Sequence, residues 1–263
     1  MNPVKKRKNL KIIVNAHVQK LNFNNKSVES VSFFTGDKLN HAKANKEVIL
    51  SAGAIGSPHL LQISGIGDSE KIKNQGIDIV HELKGVGKNL QDHLMFRPVY
   101  KLKNIKSLNR DVESLYSKFL MGLQYILKQS GPITMGASQV CAFTKSDPSR
   151  ATPNLQFHVQ PLSTDILGVT PMHNFEGITP TVANIRPTSR GEINITSNDS
   201  RDNPKIKMNY LSTEDDRIVA AKSLKLVRKI MLETETFKKY QPEEYRPGVH
   251  ITDDEELVKA GSD

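Results

Sequence analysis

The passage that most narrows the fold of this 263-residue chain is Glu47-Val-Ile-Leu50 running directly into Ser51-Ala-Gly-Ala-Ile-Gly-Ser-Pro58. A short apolar run of the first kind reads as a buried strand. The small residues after it permit close backbone approach, and Ser57 and Pro58 supply an N-cap and a first-turn proline for a helix from His59. That helix is expected to stop in Ser64-Gly-Ile-Gly67, where Gly65 or Gly67 takes the left-handed conformation. Strand, glycine turn and helix N-terminus together aim backbone amides at an anionic or planar ligand, or else make a tight turn with no ligand. On these residues alone both readings stand.

The rest of the pattern is α+β. Residues 10–14, 17–23 and 27–33 alternate apolar with polar and predict a β meander within 10–50, with turns at Asn24-Asn25-Lys26 and Gly36-Asp37. A short helix over 69–75 ending at Gly76 and a strand over 77–80 follow the glycine-rich turn. From about Arg97 the character changes: a helix over 111–129 closes at Gly131-Pro132, and strand-like runs at 139–143, 155–160, 178–185 and 191–195 predict a mostly antiparallel sheet. An amphipathic helix over 214–233, opened by Ser212 or Thr213, directs Ile218, Ala221, Leu224, Val227 and Ile230 toward a core. A last helix begins at the capping box Thr252-Asp-Asp-Glu255.

Several chemistries find no support. Cys141 is the single cysteine, so no internal disulfide or thiolate cluster is possible, and its apolar strand makes it a small buried hydrophobe. The eight histidines form no pair at three- or four-residue helical spacing, so no metal site is expected. There is no G-x-S-x-G elbow and no phosphate-cradling P-loop; Gly85-x-Gly87 has Leu90 where a dinucleotide fingerprint needs its third glycine. Asp92 and His93 are adjacent, so on a strand they point to opposite faces, and His93 reads equally well as a structural residue. Glu214, Asp215 and Asp216 read as acids complementing a helix dipole. The net charge of +9 is dispersed, densest at Lys5-Lys6-Arg7-Lys8, and lacks interleaved aromatics, so nucleic acid is not the expected partner. No apolar run approaches the roughly 20 residues of a membrane span. No secretory leader follows Met1, which leaves a cytoplasmic location or a true N-terminus lying elsewhere.

Gly53-Ala-Ile-Gly-Ser-Pro-His-Leu-Leu-Gln-Ile-Ser-Gly-Ile-Gly67 resembles, in one continuous register, the second signature of the glucose-methanol-choline (GMC) flavoprotein oxidoreductases. Ala16-His-Val18, Glu47 to Ala54, Gly85 to His93, Leu155-Gln-Phe-His158, Arg186 to Gly191 and Asn209-Tyr-Leu211 resemble the family in the same order, most of all its choline dehydrogenase-like branch. The resemblance implies part of an FAD-binding Rossmann-like domain joined to a substrate domain with an antiparallel sheet flanked by helices. By position, 1–96 would be a partial FAD domain, 97–240 the substrate domain and 241–263 the start of a return to the FAD domain. Val18 would contact the adenine through its backbone, Ser51, Ala52 and Gly53 would lie along the adenosine and pyrophosphate of FAD, and Asn89, Asp92 and His93 would lie in a loop near the cofactor. The implied reaction is oxidation of a small alcohol by hydride transfer to flavin, with the electron acceptor open. The family's G-x-G-x-x-G unit and its catalytic histidine segment are not among these residues, so the chain is expected to be a central fragment with no catalytic residue of its own, inactive alone. The alternative is a non-enzymatic remnant whose basic surface binds an anionic partner.

Overall fold

The computed structural model describes residues 3–112, 114–136 and 138–262. It contains two compact units, Met1–Gln91 with Arg190–Asn209, and Asp92–Ser189 with Tyr210–Asp263. The first boundary falls near the change of character at Arg97; the return of 190–209 to the first unit has no counterpart in the sequence pattern. Glu113, inside the helix expected over 111–129, and Asp263 lie outside the described residues.

The first unit opens with the predicted meander: strands β1 (Ala16–Asn24), β2 (Ser27–Thr35) and β3 (Lys38–Lys43), paired antiparallel in that order. Asn25 and Gly36 turn the chain at φ +52° and +59°. Helix α1 (Gly53–Ile63), strand β4 (Ile66–Gly67), helix α2 (Ser69–Lys73) and strand β5 (His81–Glu82) follow, with β4 parallel to β5. Residues 10–14 and 47–50 are not strands: among the described residues neither run has a ladder partner, and Ile49 is 79% exposed. The strand expected over 77–80 begins only at His81, because the amides of Val80 and His81 both converge on the Gly65 carbonyl, at 2.9 and 3.2 Å. The core of this unit is small, built on Ile63, Ile72 and Ile195.

The second unit begins with strands β6 (Met95–Phe96) and β7 (Val99–Lys101), short helix α3 (Leu108–Asp111) and helix α4 (Leu115–Lys128). The single helix expected over 111–129 is thus two, because Ser114 restarts the chain by accepting the Ser117 amide as an N-cap. Strands β8 (Val140–Thr144), β9 (Leu155–Gln160) and β10 (Gly177–Asn184) match the sequence expectation. The chain then forms the hairpin β11 (Glu192–Asn194) and β12 (Lys205–Lys207) of the first unit, and returns for helices α5 (Glu214–Arg228) and α6 (Glu235–Lys238), strand β13 (Glu243–Arg246) and helix α7 (Asp254–Ser262). The sheet runs β13-β7-β10-β9-β8, β6 also pairs with β10, and every pairing is antiparallel. Tyr100, Leu155, Val182, Val219, Val227 and Leu257 are among the side chains buried in its core.

Four side chains depart from expectation here. Ile218 is 43% exposed. Nine residues from Val227 is about 180° around an α-helix, so the inward face is taken instead by Val219, Ser223 and Asp216. Asp216 lies with Glu214 and Asp215 in the first turn of α5, as expected of dipole acids, but it is buried, and it accepts the Thr188 and Ser189 amides at 2.9 and 2.8 Å and the Asn184 side-chain amide at 3.2 Å. Burial works to raise its pKa, but the hydrogen bonds from Ser189 and Thr188 outweigh it and hold the carboxyl below its ordinary range. Asp253, not Thr252, caps α7 by accepting the Glu255 and Glu256 amides at 3.0 Å. Cys141 is exposed because β8 is the sheet's edge.

Candidate functional site

The strand-turn-helix singled out in the sequence resolves into an extended segment and the N-terminus of α1. The helix begins four residues before Ser57, at Gly53, which takes φ +78°. A Cβ there would meet nothing within 4 Å, so glycine is required by the backbone angle and not by space. Ser57 is therefore not the N-cap; its Oγ accepts the Ala52 amide at 3.1 Å, one turn back. Pro58 sits inside the helix and withholds the amide that would reach the Ala54 carbonyl. No side chain caps α1, and no acid lies in its first turn. Its leading amides thus face outward, with the positive end of the helix dipole behind them.

The far end of α1 is held firmly. The Ser64 hydroxyl donates to the Leu60 carbonyl at 2.6 Å and accepts the Leu21 amide of β1 at 2.9 Å. Gln62, buried, donates to the Ile193 carbonyl and accepts the Ile195 amide, each at 2.9 Å. Gly87 lies beneath this contact at φ +81°, where a Cβ would stand 2.2 Å from the Ile193 oxygen. Glycine is required there by both the backbone angle and the close packing. Gln62 is the residue that sequence reasoning missed.

Of the seven expected cofactor residues, all are exposed. A pocket of about 310 Å³ joins the first turns of α1 to Asn89, lined by Ala54, Pro58, Gly87, Asn89, Leu90 and Ile193. Asn89, at φ +60°, accepts the Arg190 Nε at 2.8 Å. Beside it Glu192 is paired with Lys88 and Lys71, and these two ammonium groups pull its pKa down to about 2. Val18 stands on β1, opposite Phe33 and just before a bulge. Its neighbour His17 shares Nε2 with the Ser200 carbonyl and hydroxyl, at 3.0 and 3.1 Å. Burial, and secondarily His17, lower the pKa of His59 on α1.

Asp92 and His93 belong to the second unit. There Asp92 folds back to accept the His93 amide at 2.9 Å and the Tyr210 hydroxyl at 2.6 Å. Burial, then the Asp92 carboxylate, push the Tyr210 phenol up to about 12. The Asp92 carboxylate is thus engaged by the His93 amide and the Tyr210 hydroxyl.

The GMC oxidoreductase family models match residues 1–95 and 187–262. The oxygen-dependent choline dehydrogenase of Photobacterium profundum is 37% identical over 252 residues, which cover 96% of this chain and 44% of that protein. Among solved structures, a formate oxidase superposes with TM-score 0.88 at 23% identity over 98% of this chain and 50% of its own. An FAD-dependent oxidoreductase from Chaetomium thermophilum does so with TM-score 0.85 at 22% identity over 98% of this chain and 51% of its own. The chain spans about half the length of the curated relatives it matches.

Proposed function

Because the chain belongs to the GMC oxidoreductase family, we propose that it supplies the adenosine-facing part of an FAD site in an enzyme that oxidises a small alcohol, choline or a primary alcohol. The single observation that carries this reading is the uncapped, acid-free N-terminus of α1 behind the positive-φ Gly53. A pyrophosphate needs outward amides and no competing carboxylate, and this is what the turn offers. The residues present therefore fit the adenosine and pyrophosphate portion of FAD.

When bound, FAD supplies the acceptor for the hydride of the alcohol's carbinol carbon. The residues of this chain bind and orient. The backbone of Val18 would hold the adenine, and Ser51, Ala52 and Gly53 would hold the adenosine and pyrophosphate. Asn89, held by Arg190, borders the same pocket as the first turns of α1. Asp92 and His93 are the remaining two proposed cofactor residues, with Asp92 fixed by Tyr210. No residue of this chain is assigned the alcohol's proton. The chain alone is expected to hold FAD weakly and to turn over no alcohol.

The test is to purify the chain, add FAD, and record the flavin absorbance retained through gel filtration, with dye reduction by choline or a primary alcohol in parallel. A substoichiometric flavin fraction and no dye reduction are expected. Stoichiometric retention would contradict the weak site, and alcohol-dependent dye reduction would mean that a base within this chain takes the proton.

A further inference from the structure

The sheet β13-β7-β10-β9-β8 has two faces of different character. Leu155, Phe157 and Val182 point into the core with α5 and α7. By alternation the second face carries Gln156, His158 and Gln160 from β9 and Thr179 and Thr181 from β10. Thr181 stands opposite His158, and Thr179 opposite Gln160. On the far side of β10, Phe96 of β6 pairs with Val182 and belongs to the core. The next residue, Arg97, therefore turns to the second face, where its Nη2 donates to the Gln160 Oε1 at 3.3 Å. The same register continued by one residue brings Arg97 beside Thr181. One cross-strand row thus reads Arg97, Thr181, His158, a short hydroxyl side chain between two long ones on strands about 4.8 Å apart.

Two members of the row lack the partners such groups normally have. Arg97 is half-buried, and among the described residues no carboxylate lies within ion-pair distance of it, whereas Arg150, Arg228 and Arg246 are paired with Asp215, Glu244 and Asp165. Burial lowers its pKa, as it does for a guanidinium dehydrated without a counter-charge. The Thr181 hydroxyl is buried and has no hydrogen-bond partner, alone among the buried side-chain polar atoms of the described residues. An unanswered cation and an unanswered hydroxyl, adjacent on one face, call for the same thing, an anionic acceptor. The long neighbours on either side of Thr181 are the groups able to swing aside and admit it.

Charge and shape select the anion. The guanidinium presents a planar fork that matches the two oxygens of a carboxylate, and it carries one positive charge. Neither β9 nor β10 contains a lysine or a second arginine, so a doubly charged phosphate would be left half-compensated, and a quaternary ammonium ion would be repelled. We propose that Arg97, Thr181 and His158 form a binding site for the carboxylate of a small organic acid. Arg97 supplies the charge, and the Thr181 hydroxyl and the His158 ring each donate to a carboxylate oxygen. None of the residues assigned to FAD is in this row.

The full chain is titrated with carbon-13-labelled acetate, and broadening of the carboxyl resonance is read alongside thermal unfolding. Saturable binding is expected, weaker for inorganic phosphate and for a terminally blocked glutamate peptide, and absent for choline. Arg97→Met should weaken acetate binding about tenfold or more, and Arg97→Lys, which keeps the charge and loses the fork, by less. Thr181→Val should weaken it about threefold while leaving the Tm unchanged or raised, because a methyl replaces a buried hydroxyl without a partner. Acetate that does not saturate at tens of millimolar, or that binds Arg97→Met as it binds the parent, would overturn the proposal. So would Thr181→Val melting lower while binding acetate fully, and phosphate or the peptide binding tighter than acetate would overturn the choice of a small acid.

Discussion

The two units are built to different standards of burial. The second has an antiparallel sheet backed by α5 and α7 over a continuous core, and two of its carboxylates, Asp216 and Glu244, are buried with partners. Glu244 receives Arg228 from Nε and Nη2 at 2.9 Å, the Tyr100 hydroxyl at 3.2 Å and the Gly248 amide at 3.0 Å. The first unit rests on a small cluster of Ile63, Ile72 and Ile195, with Leu21, Leu60 and Ile193 also buried, a meander with mostly open faces, and a few polar stitches at Ser64 and Gln62. The thinly cored unit is also where five of the seven proposed cofactor residues lie.

The sharpest way to break this contrast is Arg228→Met, which leaves the Glu244 carboxylate buried without its cation. A loss of about 3–5 kcal/mol is expected. Hydrogen exchange should report it in β7 and β13 and leave β1, β2 and β3 unchanged. In the first unit the largest effect belongs to Gly65→Ala. Gly65 holds φ +86° with a Cβ position 2.4 Å from the Asp78 oxygen, so a loss of roughly 2 kcal/mol or more is expected in thermal unfolding. Opposite location of these two effects would show the units wrongly divided.

Acid sharpens the contrast further. The folded pKa of Asp216 lies below the ordinary carboxylate value of about 3.9. The stability it adds is therefore present above that value and is lost as the pH falls through the folded pKa. Asp216→Asn should cost about 1–2 kcal/mol at neutral pH. The gap to the parent chain should narrow in acid, followed by urea melts across pH. The smallest effect is expected from Ser64→Ala, which leaves the Leu21 amide without its acceptor, at about 1 kcal/mol.

What the sequence disclosed follows from how local each signal is. The meander was legible because period two and Asn or Gly turns are written within a few residues, and α5 because Thr213 precedes a helical pattern. The run Glu47 to Leu50 has the composition of a buried strand, but a strand needs a neighbour, and composition does not supply one. Ile218 kept helical spacing with Ala221 while lying on the wrong side of the wheel, since a polar Asp216 and Ser223 occupied the inward face. In the candidate site, the Gly53 to Gly67 register was legible as a motif. The role of Gln62 was not, because its partners stand 131 and 133 residues away and a lone glutamine in a helix carries no mark of them.

Hydrogen–deuterium exchange of the chain with and without millimolar FAD tests most directly whether the N-terminus of α1 and the Val18 stretch of β1 are an FAD-facing surface. Slowed exchange is expected at residues 51–57 and around Val18, with a smaller effect in Gly53→Val and the β8 to β10 sheet unaffected. Unchanged exchange at residues 51–57 under conditions where FAD binding is detected would contradict it.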